Sequence, residues 1–172
     1  VYIERAYNLS SDIGLVAKTL ATGGLEAIKK FHVRVGEPIR PMLAQRLASA
    51  GEIVQKLGGK AASEYKYDGE RIQTHKNGSD VKLFSRRLED ITSQYPDVCE
   101  LVRKQVKARE AIIEGECVAL EPDTGEFRPF QELMHRRRKH GIEEALKKYP
   151  VGLYAFDALY VDGKDMTTTP YL

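Results

Sequence analysis

Apolar residues recur at helical spacing over residues 11–22, where Ile13, Val16, Ala17 and Leu20 share one side. Ser11 stands at the capping position, and Gly23-Gly24 follows as a stop. A shorter helix is expected over Leu25–Lys30. A third is expected over about Leu43–Leu57, with a stripe of Leu43, Leu47, Ala50, Val54 and Leu57 and a stop at Gly58-Gly59. Between them FHVRVGEPIRP carries prolines and a glycine, which sets a domain boundary near residue 37. After residue 60 the period changes. AASEYKY and RIQTHK read as strands on either side of a tight DGE turn, and NGSD leads into VKLFS. PDVCELVRKQVK reads as a helix with Pro96 in its first turn and Val98, Leu101, Val102 and Val106 inward. AIIEGECVALEP is a strand closed by DTGE, Gln131–Lys148 is mostly helical with a break near Gly141, and VGLYAFDALYV is a strand before DGKD. The pattern gives an α+β fold with antiparallel-rich sheets and packed helices, preceded by a helical segment. The expected division is residues 1–36 and 37–172.

Composition narrows the classes. The chain has 172 residues, 42% hydrophobic and 30% charged, enough for a packed core and against overall disorder. A net charge of +2 is too small for a whole-chain field that draws nucleic acid, so any basic surface is local. No stretch reaches the roughly 18 apolar residues of a membrane span. VYIERAYNLS has neither a signal-peptide layout nor a starting Met, so a processed chain or a fragment is expected. The last strand precedes TTTPYL without a further partner, which points to an incomplete sheet with an exposed edge. Cys99 and Cys117 form no CxxC pair, and His32, His75, His135 and His140 have no metal-ligand spacing.

The candidate chemistry centres on Glu64-Tyr65-Lys66-Tyr67-Asp68-Gly69-Glu70-Arg71. On a strand Glu64 and Lys66 share one face and the tyrosines the other. Desolvation and nearby cations favour the neutral amine, the nucleophilic form of a lysine. The competing reading is an exposed, charged hairpin. Glu114 and Glu116 share a strand face with Gly115 between them. His135-Arg136-Arg137-Arg138-Lys139-His140 is a basic run, which is commonly a solvated helix face.

EYKYDGER resembles the K-x-D-G signature of covalent nucleotidyltransferases, and its tyrosines and arginine are similar to ATP-dependent DNA ligases of the archaeal and eukaryotic type. Further stretches resemble that family in order: IRPMLA at 39–44, LFSRRLEDIT at 83–92 followed by YPD, IIEGECVA at 112–119, PFQELMHRRRK at 129–139 and LYAFDALYVDGKDM at 153–166. The resemblance covers nearly the whole chain. It implies an incomplete nucleotidyltransferase (ATP-grasp-like) ligase core at residues 37–172, behind the end of a helical DNA-binding domain at 1–36.

By that resemblance Lys66 attacks the α-phosphate of ATP, AMP passes to a DNA 5′-phosphate, and the 3′-OH seals the nick. Arg71 and Arg86 would hold phosphate or ribose, with Arg87 pointing away if the segment is extended. Glu116 would contact ribose or place Mg²⁺, Phe156 would stack on adenine, and Glu64 would help select it. Glu114 keeps no settled role and can be simply solvated. Arg136, Arg137, Arg138 and Lys139 would touch DNA phosphates. The implied cofactors are ATP and Mg²⁺. The implied partners are nicked duplex DNA and, for a full-length protein, a sliding clamp, with no membrane. The implied compartment is cytoplasmic in an archaeon or nuclear in a eukaryote. The family's two later motifs and its OB-fold domain are not among these stretches, so this chain alone is expected not to seal nicks. Alternatives are an RNA ligase, a capping guanylyltransferase, or a noncatalytic nucleic-acid-binding module.

Overall fold

The computed structural model describes residues 1–137 and 142–170. Two helices lead, α1 (Tyr2–Ser10) and α2 (Ile13–Lys29). Asp12 caps α2, its carboxylate accepting from the Leu15 N–H at 2.9 Å. Gly24 breaks α2 with a φ of 65°, a left-handed value that glycine takes without strain. The expected helices over 11–22 and 25–30 are thus two halves of one kinked element, and α1 is an addition to the expectation.

Helix α3 covers only Ala50–Lys56, not the expected 43–57. The Glu52 N–H donates to Ser49 Oγ and Ala48 N–H donates to the Glu52 carboxylate, both at 3.3 Å. This reciprocal cap starts the helix at residue 50. The stripe is not a core stripe, since Leu43, Ala50, Val54 and Leu57 are exposed.

The sheet is five-stranded and antiparallel, in the order β2-β1-β3-β4-β5. Its strands are β1 (Glu70–Asn77), β2 (Asp80–Ser85), β3 (Glu110–Ala119), β4 (Val151–Val161) and β5 (Lys164–Asp165). Gly78-Ser79 turns β1 into β2, with Asn77 facing Asp80. Helix α4 (Pro96–Gln105) lies between β2 and β3 in the chain and carries proline at its start. Residues Phe130–Arg137 form a 3-10 segment and Ile142–Lys148 form α5.

Residues 61–67 are not a strand, contrary to expectation. The reason lies in β1: one edge pairs with β2 and the other with β3, so no edge remains for a hairpin partner. The segment is irregular and exposed, apart from half-buried Tyr67.

The two sheet faces divide by parity. Ile72 on β1, Val81 and Leu83 on β2, and Cys117 and Ala119 on β3 pack with Tyr95, Val98, Cys99 and Val102 beneath α4. Cys99 and Cys117 are buried free thiols. The opposite face carries Arg71, Gln73 and His75 on β1 beside Glu116, Glu114 and Ile112 on β3, in direct register. At its far end Ile112 packs with Leu9, Val33 and Ile39, which seats the N-terminal segment on this face.

His75 is buried at that junction. Its Nδ1 accepts from the Gly36 N–H at 2.8 Å, so the proton sits on Nε2, which donates to Gln73 Oε1 at 2.9 Å. Burial, reinforced by Lys82, lowers its pKa from 6.5 to about 4. Protonation would set an Nδ1–H against the Gly36 N–H. Because the folded pKa lies below the unfolded one, the unfolded chain binds more protons, and stability falls as pH drops from 6.5 to about 4. The expected loss is on the order of 3 kcal/mol. Denaturation midpoints measured across this window should show it, and His75→Phe should flatten the slope.

Candidate active site

Six separate chain segments converge on one cleft of about 900 Å³. The stretch 41–44, the irregular segment 64–69 with Glu70 and Arg71 of β1, the turn 85–89, Glu116 of β3, Phe130 and Phe156 of β4 line it. Lys66, Arg71, Arg86, Glu64, Glu116 and Phe156, all singled out from sequence, therefore share a single space.

Close packing fixes the Lys66 segment where it enters β1. A Cβ on Gly69 would stand 2.2 Å from the Cys117 carbonyl oxygen, so only glycine fits. Asp68 accepts from the Phe130 N–H at 3.2 Å and ties the same turn to the start of the 3-10 segment. Lys66 is exposed, and its Nζ donates to the Tyr67 carbonyl at 3.1 Å. The tyrosines do not bury it: Tyr67 stacks on Tyr154 at 5.0 Å and meets Phe127 edge-on at 5.9 Å.

Glu116 is half-buried. Burial pushes its carboxyl above the usual range, while Lys66, Arg71 and the Gly69 N–H pull against that rise and Asp68 adds to it. Lys66 and Arg71 are thus the cations that this carboxylate feels. Arg71 pairs with Glu114, and its guanidinium lies 5.2 Å from the Phe156 ring centroid. Arg71 Nε is buried without a hydrogen-bond partner, and the planar guanidinium is of a kind that suits phosphate or ribose oxygens. Phe156 owes its place to a bulge. Glu114 faces Asp157 and Gly115 faces Ala155, leaving Phe156 as the extra residue.

Arg87 was expected to point away from the cleft, yet it lines the wall with Arg86. Residues 85–89 form a turn rather than an extended run, closed by Leu88 N–H to Ser85 carbonyl at 2.8 Å, with Leu88 at φ 65°. Strand alternation does not apply there. The adjacent arginines were the available signal. Glu114, left unsettled by sequence, is buried and holds Arg71.

Residues 41–172 match the family described as ATP dependent DNA ligase domain. The chain belongs to this family. A DNA ligase of Staphylothermus marinus is 61% identical over 168 residues, 98% of this chain and 28% of that protein. One from Pyrobaculum calidifontis is 60% identical over 170 residues, 99% of this chain and 29% of that protein. The chain thus spans under a third of the length of these relatives. The ligase domain of M. tuberculosis LigD superposes with a TM-score of 0.47 at 28% identity, over 59% of this chain and 30% of that one. That overlap is too loose to place residues.

Within this ligase domain the basic run divides. Arg136 was expected on DNA phosphate, but its side chain is 1% exposed. Its two terminal nitrogens donate to Asp97 at 3.0 and 2.7 Å, and the guanidinium lies 4.9 Å from the Tyr95 ring centroid. Tyr95 in turn donates to Glu70 at 2.6 Å. Arg136 is therefore an interior tie between the 3-10 segment and α4, on the sheet face away from Arg71. Arg137 ends the 3-10 segment, and Arg138 and Lys139 lie outside the described residues. Arg136→Ala would leave Asp97 and the Tyr95 ring without their partner. It should cost on the order of 3 kcal/mol in chemical denaturation. A variant of full stability with weakened, salt-sensitive DNA binding would restore the phosphate-contact role.

Proposed function

We propose that this chain is the part of an ATP-dependent DNA ligase that transfers AMP from ATP onto Lys66. The observation that carries this reading is the meeting of Lys66, Arg71, Arg86 and Glu116 around one cleft. The neutral Nζ of Lys66 attacks the α-phosphorus and forms a P–N bond. The bond from that phosphorus to the bridging oxygen of the β-phosphate breaks, and its electron pair leaves with pyrophosphate. The attacking nitrogen gives one proton to solvent, to which Lys66 is exposed, and the lysine holds AMP. Arg71, with Arg86 and Arg87, supplies positive charge to the phosphoryl oxygens in a site set before reaction. Phe156, beside Arg71, stacks on adenine, and Glu64 reads the base.

Among the described residues no three His, Cys, Asp or Glu side chains cluster as a metal cage. Glu116, the acid on the cleft wall singled out from sequence, would hold Mg²⁺ together with phosphate oxygens and water. When bound it neutralises charge on the departing pyrophosphate. The AMP then passes to the 5′-phosphate of nicked duplex DNA, and the 3′-OH displaces it. Arg137, Arg138 and Lys139 remain the proposed phosphate contacts, and a sliding clamp the proposed partner of the longer protein. Among the described residues no helix is long and apolar enough to cross a membrane. The setting we propose is the cytoplasm of an archaeon; the organisms of the relatives support the archaeal part of that reading.

The test is incubation with magnesium and either ATP or GTP, read by intact mass. One AMP should add, and Lys66→Ala should abolish the adduct. A GMP adduct would favour the capping reading, and salt-dependent DNA binding with no adduct on any length of the chain would favour a noncatalytic module.

A further inference from the structure

Gln73 sits in the middle of β1 with 4% of its surface exposed, at a position where an apolar side chain would need no partners. It uses all four of its hydrogen-bond positions. Its Oε1 accepts from the Ile39 N–H at 2.8 Å and from His75 Nε2 at 2.9 Å. Its Nε2 donates to the Ile39 carbonyl at 3.1 Å and to Glu114 Oε1 at 3.1 Å. That saturation fixes which way the amide points. The nitrogen must face the Glu114 carboxylate, since the reverse would set oxygen against a negative charge.

The contacts form an unbroken path. Asn8 of α1 accepts from the Arg40 N–H at 3.1 Å, and Ser11 Oγ donates to the Pro38 carbonyl at 2.8 Å. The loop so held presents Gly36 to His75 and Ile39 to Gln73. Gln73 holds one oxygen of Glu114, and the other oxygen pairs with Arg71 in the cleft. A glutamine serving only to dock a loop has no need of the carboxylate. A carboxylate serving only to anchor Arg71 has no need of the loop.

We infer that Gln73, backed by His75, is a positioning residue for the nucleotide cleft: it ties the loop at residues 36–39 to Glu114 and through that carboxylate sets the guanidinium of Arg71. The inference rests on the reading that Arg71 meets ATP. It makes the docking of the helical segment part of the site's geometry, although that segment contributes no side chain to the cleft.

The test is a double-mutant cycle in ATP affinity. Gln73→Met keeps the volume and removes the hydrogen bonds. It should weaken ATP binding about five- to tenfold when Arg71 is present. In an Arg71→Ala background it should change little, because the group it acts through is gone. The Arg71 Nε–H resonance, identified by its loss in Arg71→Lys, should move in Gln73→Met without any nucleotide. Equal losses in both backgrounds, or an unmoved resonance, would overturn the inference. Failure of the unmutated chain to bind ATP would instead strike the proposed function, and the resonance would still test the hold of Gln73 on Arg71. Should Gln73→Met not fold, His75→Phe carries the same comparison, since it retains the ring contact with Phe84 at 5.0 Å.

Discussion

The approach of Gly69 to the Cys117 carbonyl leaves no volume for a side chain. Because that contact lies where the chain enters β1, it fixes the height at which residues 64–68 cross the sheet. Everything in the cleft is measured from there. Glu116 is one residue from Cys117 on β3, so the strand that blocks a side chain at Gly69 also delivers the carboxylate beside Lys66. Asp68, bonded to the Phe130 N–H, closes the other side. A backbone crossing farther from the sheet would separate the amine from Glu116 and Arg71 together.

The faces of the sheet then do different work. Beneath it, α4 and an apolar cluster supply burial, and the Arg136–Asp97 pair joins the 3-10 segment to that layer. Above it, the row Arg71, Gln73, His75 trades apolar area for hydrogen bonds and charge. Buried polar groups are costly unless satisfied. Here the interior end of the row is saturated, and an unpaired donor remains only at its cleft end, on Arg71 Nε.

Much of this was readable from residue order. The elements β1 to β4 and α4 follow local rules: strict turn residues at Gly78, proline at a helix start, and sustained alternation. The gathering of Lys66, Arg71, Glu116 and Phe156 followed from ordered family motifs. What failed depends on partners distant in sequence. Residues 61–67 have strand-like composition, but whether a strand forms depends on a free edge, and β1 has none. The stripe from Leu43 is apolar, yet the Ser49 cap decides where the helix starts. Arg136 looks like its basic neighbours until Asp97, 39 positions away, is folded against it. Glu114 looks solvated until the cross-strand register sets Gln73 opposite. Charge alone does not distinguish an interior tie from a surface contact.

The cleft has unlike walls. Its floor is strand backbone bonded on both edges, whereas the segment carrying Lys66 makes no ladder bonds at all. Amide hydrogens in β1 are therefore held by the cooperative unit of the sheet, while those of residues 61–67 exchange through small local openings. A ligand in the cleft meets a stiff side that needs no reorganisation and a loose side that must lose configurational freedom on contact. The entropy of capture thus falls on the irregular segments of the wall, that of the nucleophile included. Exchange slowing upon ligand contact would fall on the irregular stretches of the wall, 41–44 and 64–68 among them, and spare the strands.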